Sequence, residues 1–182
     1  AENSEDYDSQ FIFLWIAFNA AYAQQLDYKN DLGERELYQG FLTKVEQLDT
    51  SKKLSEIVWS QYSTSIRLIL NNEFIFQAFW RLQSGQITED KWKQEQSSAK
   101  VAANRALASG DTVTVLSILF SRLYTLRNQL LHGGATYNST ANRDQLRDCT
   151  ILLSSIVPIV IELMMNGSEQ FWGDAIYPLQ QT

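Results

Sequence analysis

The residues best suited to chemistry lie in one short segment, Arg127-Asn128-Gln129-Leu130-Leu131-His132. His132 is the only histidine, so a reaction near neutral pH that needs an imidazole must use it or borrow one from another chain. Arg127 supplies a permanent cation suited to a phosphate, and the Asn128 amide can both donate and accept hydrogen bonds. Together they are the parts of a phosphodiester-transfer site.

The helix that must carry these residues is predicted from the apolar periodicity between Thr112 and about His132. Successive residues turn by about 100° around a helix, so Arg127 and His132 diverge by about 140° and flank Asn128. Tyr124 lies one turn before Asn128 and could stack on a base or supply a hydroxyl. A second copy of the helix, related by two-fold symmetry, would bring two arginines and two histidines into one cleft.

The segment from Arg127 to His132 resembles the R-N-x-x-x-H form of the RxxxxH motif of the HEPN superfamily, a group of helical domains of higher eukaryotes and prokaryotes. Its position is also similar, because it ends a late helix at Gly133-Gly134 and a last long helix follows. The aromatic first helix, Phe11 to Tyr22, resembles that of HEPN-like bacterial proteins of the Apea-like sort.

This resemblance implies a helical domain that dimerises through the motif helices and cleaves RNA without a metal or another cofactor. His132 would be the general base or acid, Arg127 would stabilise charge on the scissile phosphate, and Asn128 would orient the histidine or the phosphate. The products would carry a 2′,3′-cyclic phosphate and a 5′-hydroxyl. The expected role is that of a defence effector, or of a toxin with an antitoxin protein as partner.

Each of these residues also has a structural interpretation. A histidine at the end of a helix is a favourable partner for the helix dipole and the last free carbonyls. Arg127 could pair with a carboxylate such as Asp144 or Asp148 on the next helix. The competing hypothesis is therefore a non-catalytic helical module that binds a nucleotide, an RNA or a protein partner. A third is a purely scaffolding dimer.

The composition favours one all-α domain. Two prolines and eight glycines among 182 residues are too few for the many turns of an all-β chain. The net charge of −6 disfavours nucleic-acid binding unless positive charge is concentrated near Arg127. The lone Cys149 excludes an intramolecular disulfide and a multi-cysteine metal site, and it favours the cytoplasm. No carboxylate and histidine spacing indicates zinc.

Periodicity and turn residues predict a bundle of five to seven helices in residues 1–167, with a loosely attached tail at 168–182. The predicted helices run over 6–26, 34–48, 49–70, 88–109, 112–132 and 142–165, and 73–82 is predicted to be a short helix or helical turn. The stretch 88–109 is polar, so we expect it at the periphery.

The first predicted helix is apolar nearly all round, so we expect it to be covered by neighbouring helices on several sides or by another subunit. Asn19 would then be a buried amide that needs hydrogen-bond partners. Pro158 is expected to kink the last helix. Neither apolar run, Phe11–Ala23 or Ile151–Met165, reaches the roughly 20 residues of a membrane span, so no membrane segment is expected.

Overall fold

A computed structural model of the chain describes residues 6–23, 34–132 and 143–167. Within these ranges all regular secondary structure is helical and there is no strand, which confirms the all-α prediction. The predicted tail at 168–182 and the Gly133-Gly134 helix stop lie outside the described residues. The elements are α1 (Tyr7–Ala23), α2 (Glu34–Leu48), α3 (Lys53–Glu56), a π-helical turn (Ile57–Gln61), α4 (Ser63–Asn71), α5 (Gln77–Gln83), α6 (Glu89–Ser109), α7 (Thr112–His132) and α8 (Arg143–Asn166).

The boundary between α6 and α7 follows from local capping. Thr88 Oγ1 accepts a hydrogen bond from the Lys91 backbone N–H and begins α6. Gly110 ends it in the left-handed conformation, with φ of 67°. The Asp111 carboxylate then accepts a hydrogen bond of 2.9 Å from the Thr114 backbone N–H. These contacts confirm the predicted start of α6 and start of α7.

The prediction of one continuous helix over 49–70 is wrong. The chain forms α3, a π-helical turn and α4, so the described residues hold eight α-helices and not five to seven. The Tyr62 backbone N–H donates to the Ile57 carbonyl, the five-residue spacing of a π-helix. At this widened turn Trp59 Nε1 donates to Thr112 Oγ1, and the Tyr62 hydroxyl bonds Ser155, both at 2.9 Å. The interruption therefore coincides with polar contacts to α7 and α8, which are not visible in local periodicity.

The helix predicted over 73–82 is shorter than expected. Asn72 Oδ1 accepts the backbone N–H of Phe74 at 2.9 Å, so the asparagine stabilises a turn instead of a helix start. The helix begins only at Gln77.

The core is centred on α7 and α8, against which α1 and α2 pack. The Phe18 ring of α1 stacks on Phe120 of α7 with centroids 4.0 Å apart. An ion pair also joins α1 to α8, because both Asp8 carboxylate oxygens accept hydrogen bonds from the Arg143 guanidinium. These contacts fix α7, which carries the candidate site, against α1.

Of the two expectations for α1, coverage by neighbouring helices is met on one face only among the described residues. Phe13 is 51% exposed and Ile16 is 56% exposed, because α7 and α8 cover the opposite face of the helix. Asn19 is exposed as well in a single copy of the chain, so the neighbouring helices do not bury its amide. The alternative expectation, that another subunit covers this face, stays a prediction.

The last helix is longer than its apolar run. Among the described residues, α8 alone is long and apolar enough to cross a membrane, by length and composition only. Its inner face, which includes Leu146 and Leu153, is buried in the bundle, as in the core helix of a soluble protein. The helix continues through the exposed Pro158 to Asn166.

Candidate functional site

The direction of each motif side chain is set by the way α7 is anchored. Leu123 and Leu126 are fully buried and hold the helix against the core. Phe120 faces α1, where it stacks on Phe18. Arg127 lies seven residues after Phe120 and therefore continues this α1-facing stripe. Its side chain is only partly buried, so its guanidinium lies at the edge of the packed region.

Arg127 and Asn128 are brought together. The Arg127 guanidinium donates a hydrogen bond of 2.8 Å to Asn128 Oδ1, and the Arg127 Nε is buried without a hydrogen-bond partner. The carboxylates considered as structural partners, Asp144 and Asp148, both pair with Arg147. In the part of the chain that the structure describes, no carboxylate neutralises Arg127.

His132 is the last residue of α7, and its side chain is exposed. It makes no hydrogen bond or ion pair with any described residue. Five helical residues separate it from Arg127, equivalent to about 7.5 Å along the axis and about 140° around it. One copy of the chain therefore presents the imidazole and the guanidinium on diverging sides, as the spacing predicted.

Tyr124 lies apart from the exposed end of the helix. Its partly buried ring packs against Trp15 of α1, with centroids 6.1 Å apart. The same residue lines a pocket of about 320 Å³ further back along α7. Base stacking by Tyr124 stays a prediction, and the observed contact of its ring is with the core.

Apolar side chains surround the end of α7. Leu131 is 49% exposed, close to the exposed Phe13 of α1. The two residues line a shallow pocket of about 240 Å³ together with Ile12 and Leu130. In a single copy of the chain, the candidate site is thus flanked by exposed apolar surface.

Arg122 is a residue that sequence reasoning missed. It is only 6% exposed, and its guanidinium carbon lies 4.1 Å from the centroid of the Phe76 ring. Burial, together with the charge of Arg35, lowers the pKa of Arg122 to about 10. A signal was available, because Arg122 follows Ile118 by four residues and so interrupts a buried stripe of α7.

The described residues contain no group of three or more histidine, cysteine, aspartate or glutamate side chains that could hold a metal ion. Comparison with known proteins finds no matching family model, no similar curated protein and no similar solved structure. The HEPN resemblance therefore depends on the segment from Arg127 to His132 and on the first helix, and it stays a prediction.

Proposed function

We propose that this chain is a metal-independent endoribonuclease of the HEPN type that acts as a homodimer. The observation that carries the proposal is the state of Arg127, whose guanidinium is held by a neutral amide and by no described carboxylate. Its charge is therefore available to a phosphate. The exposed imidazole of His132 at the end of the same helix supplies the group that moves protons.

In the proposed reaction, His132 of one copy removes the proton from a ribose 2′-hydroxyl. The freed oxygen attacks the adjacent phosphorus, and Arg127 stabilises the negative charge that develops on the phosphate oxygens. The bond from phosphorus to the 5′ oxygen then breaks, and that oxygen takes a proton from the second copy's histidine. The products are a 2′,3′-cyclic phosphate and a 5′-hydroxyl, and no metal ion is required.

The dimer is proposed because one copy separates the two groups around α7. Phe13, Ile16 and Leu131 supply exposed apolar surface on α1 and at the end of α7, and such surface favours burial against a second copy. Pairing through this region would place the two motif helices side by side. It would also concentrate positive charge in a chain whose net charge is −6.

The biological role is proposed from the resemblance. A cytoplasmic RNA-cleaving dimer of this type would serve as a defence effector or as a toxin, and a toxin would need an antitoxin protein to silence it. An antitoxin that covers the end of α7 would block the proposed phosphate site.

The cleavage test uses single-stranded RNA with the purified protein in EDTA. We expect fragments that end in a 2′,3′-cyclic phosphate. His132→Ala should abolish cleavage and leave the helical circular dichroism unchanged, and Lys100→Ala, an exposed site on α6, is the matched control. RNA that stays intact, or cleavage that survives His132→Ala, would instead favour the non-catalytic binding module.

The composite site is tested by subunit mixing. Wild-type protein co-expressed with an equal amount of His132→Ala should lose about half of its activity per wild-type chain, because half of those chains would have an inactive partner. A site contained within one chain would keep full activity per wild-type chain. A protein that cleaves RNA as a monomer in solution would also contradict the composite site.

A further inference from the structure

A second site lies further back along α7, in a pocket of about 320 Å³ between α2, α5, α6 and α7. Two arginines line it, Arg122 from α7 and Arg35 from α2. Phe76 and Ile118 add apolar walls, and Tyr124 adds a ring with a hydroxyl group. Neither Arg127 nor His132 belongs to this pocket.

Arg122 is buried without a counter-charge. Only 6% of its surface is exposed, and its Nε is hidden from solvent with no hydrogen-bond partner. No described carboxylate pairs with it, and its one strong contact is the face of the Phe76 ring. Buried charges in proteins are normally paired, and a cation–π contact replaces only part of the lost hydration. The pocket therefore holds an unsatisfied cation.

Arg35 adds a second positive charge to the same place. It is exposed near the start of α2, and it lies close enough to Arg122 that its charge contributes, after burial, to the lowered pKa of that group. Two like charges that share a pocket repel each other. A bound anion between them would remove both this repulsion and the lack of a partner for Arg122.

The serine and threonine hydroxyl groups near these arginines already donate hydrogen bonds to backbone carbonyls. Ser121 donates to the Ser117 carbonyl at 3.0 Å, and Thr125 donates to the Ser121 carbonyl at 3.2 Å. The donors left for a ligand are the two guanidinium groups and the neutral groups of Tyr124 and Gln77. An acceptor-rich anion fits this set of donors.

We propose that this pocket binds a small phosphomonoester, with its phosphate between Arg122 and Arg35 and an apolar body against Phe76 and Ile118. A phosphomonoester carries a charge of about −1.5 to −2 near pH 7, which matches two cations, whereas a carboxylate matches one. The volume of about 320 Å³ is at the lower end of the range for small-molecule sites, so the ligand is small.

This site does not depend on the proposed nuclease activity. Thr125, which lines the pocket, precedes His132 by seven residues, or about two helical turns. Binding can be measured on the purified chain with no RNA present. A failed cleavage test therefore leaves the pocket proposal intact, and failed binding leaves the cleavage proposal intact.

The test is isothermal titration calorimetry in a phosphate-free buffer, with phenyl phosphate as the probe. We expect saturable binding that is tighter than that of inorganic phosphate or benzoate, and no binding of benzyl alcohol. Arg122→Met should weaken the binding of phenyl phosphate about tenfold or more, because it removes a buried charged donor. Arg35→Met should weaken it several-fold. Arg67→Met, an exposed site on α4 with the same charge change, should leave it unchanged.

Several results would overturn the proposal. Equal affinity for benzyl alcohol would show a merely apolar pocket, and tighter binding of benzoate would show a carboxylate site. Binding that both pocket variants retain would place the phosphate elsewhere, and the absence of saturable binding at millimolar phenyl phosphate would exclude the site. If Arg122→Met does not fold, Arg35→Met decides the matter, because the Arg35 side chain is exposed.

Discussion

The Arg127 guanidinium donates a hydrogen bond of 2.8 Å to the Oδ1 atom of Asn128, its neighbour in the sequence. An amide oxygen orients a guanidinium without neutralising it, whereas a carboxylate does both. This pair therefore gives the end of α7 an oriented cation with its charge intact. The same pair makes the proposed chemistry sensitive to a very small change at Asn128.

Asn128→Asp replaces the amide by a carboxylate of the same shape. The new negative charge should pair with Arg127 and repel an RNA phosphate, so we expect the cleavage rate to fall by about 10²-fold or more. The fold should be retained, because the site is only partly buried. Initial cleavage rates and thermal melting measure the two effects separately.

The matched control for that change is Asn104→Asp, at an exposed site on α6. It alters the net charge by the same amount far from the end of α7. Equal losses of activity in the two variants would assign the effect to net charge and would contradict a specific role for the Arg127 and Asn128 pair.

The ion pair between α1 and α8 should contribute measurably to stability. The Asp8 side chain is 5% exposed and binds Arg143 through both oxygens. Asp8→Asn should lower the free energy of unfolding by roughly 2 kcal/mol, because it leaves a charged partner without its carboxylate. Urea denaturation measures this change. Asp144→Asn is the control, since its side chain is 89% exposed, and we expect no measurable effect.

The loss of stability caused by the buried charge of Arg122 should depend on pH in the alkaline range. Burial lowers the pKa of Arg122 to about 10, so the folded protein releases this proton at a pH at which the unfolded chain still holds it. Burying the charge thus lowers the free energy of unfolding by its full amount well below pH 10. This loss declines as the pH rises through that value.

Arg122→Met removes the buried charge and keeps much of the side-chain volume. In phosphate-free buffer at pH 7 it should raise the free energy of unfolding by about 1–2 kcal/mol, and this gain should shrink above pH 10. Urea denaturation of wild type and variant at pH 7, 9 and 10.5 provides the comparison. A gain that grows with pH would contradict the assignment of the effect to a buried charge.

Cys149 should be chemically inert in the folded protein. Its side chain is fully buried, and burial raises the pKa of the thiol, with Asp148 adding to the shift. Iodoacetamide at pH 8 should leave the native chain unlabelled and label it once after unfolding in urea, as measured by intact mass. Rapid labelling of the native chain would contradict the tight packing of α8.

The parts of this fold that could be predicted from the sequence are those set by local chemistry. The start of α7 at Thr112 agrees with prediction, because caps and apolar periodicity act within a few residues. The divergence of Arg127 and His132 is likewise a property of one helix. The composition alone favoured an all-α fold over an all-β one.

The tertiary structure decided which faces are covered. The exposure of Asn19 and Ile16, the π-helical turn after Glu56 and the burial of Arg122 all depend on how neighbouring helices pack. Periodicity reports that a face is apolar or interrupted, and it does not report which neighbour covers it. The burial of a residue depends on helices that are distant in the sequence, so it is decided only when the whole bundle is assembled.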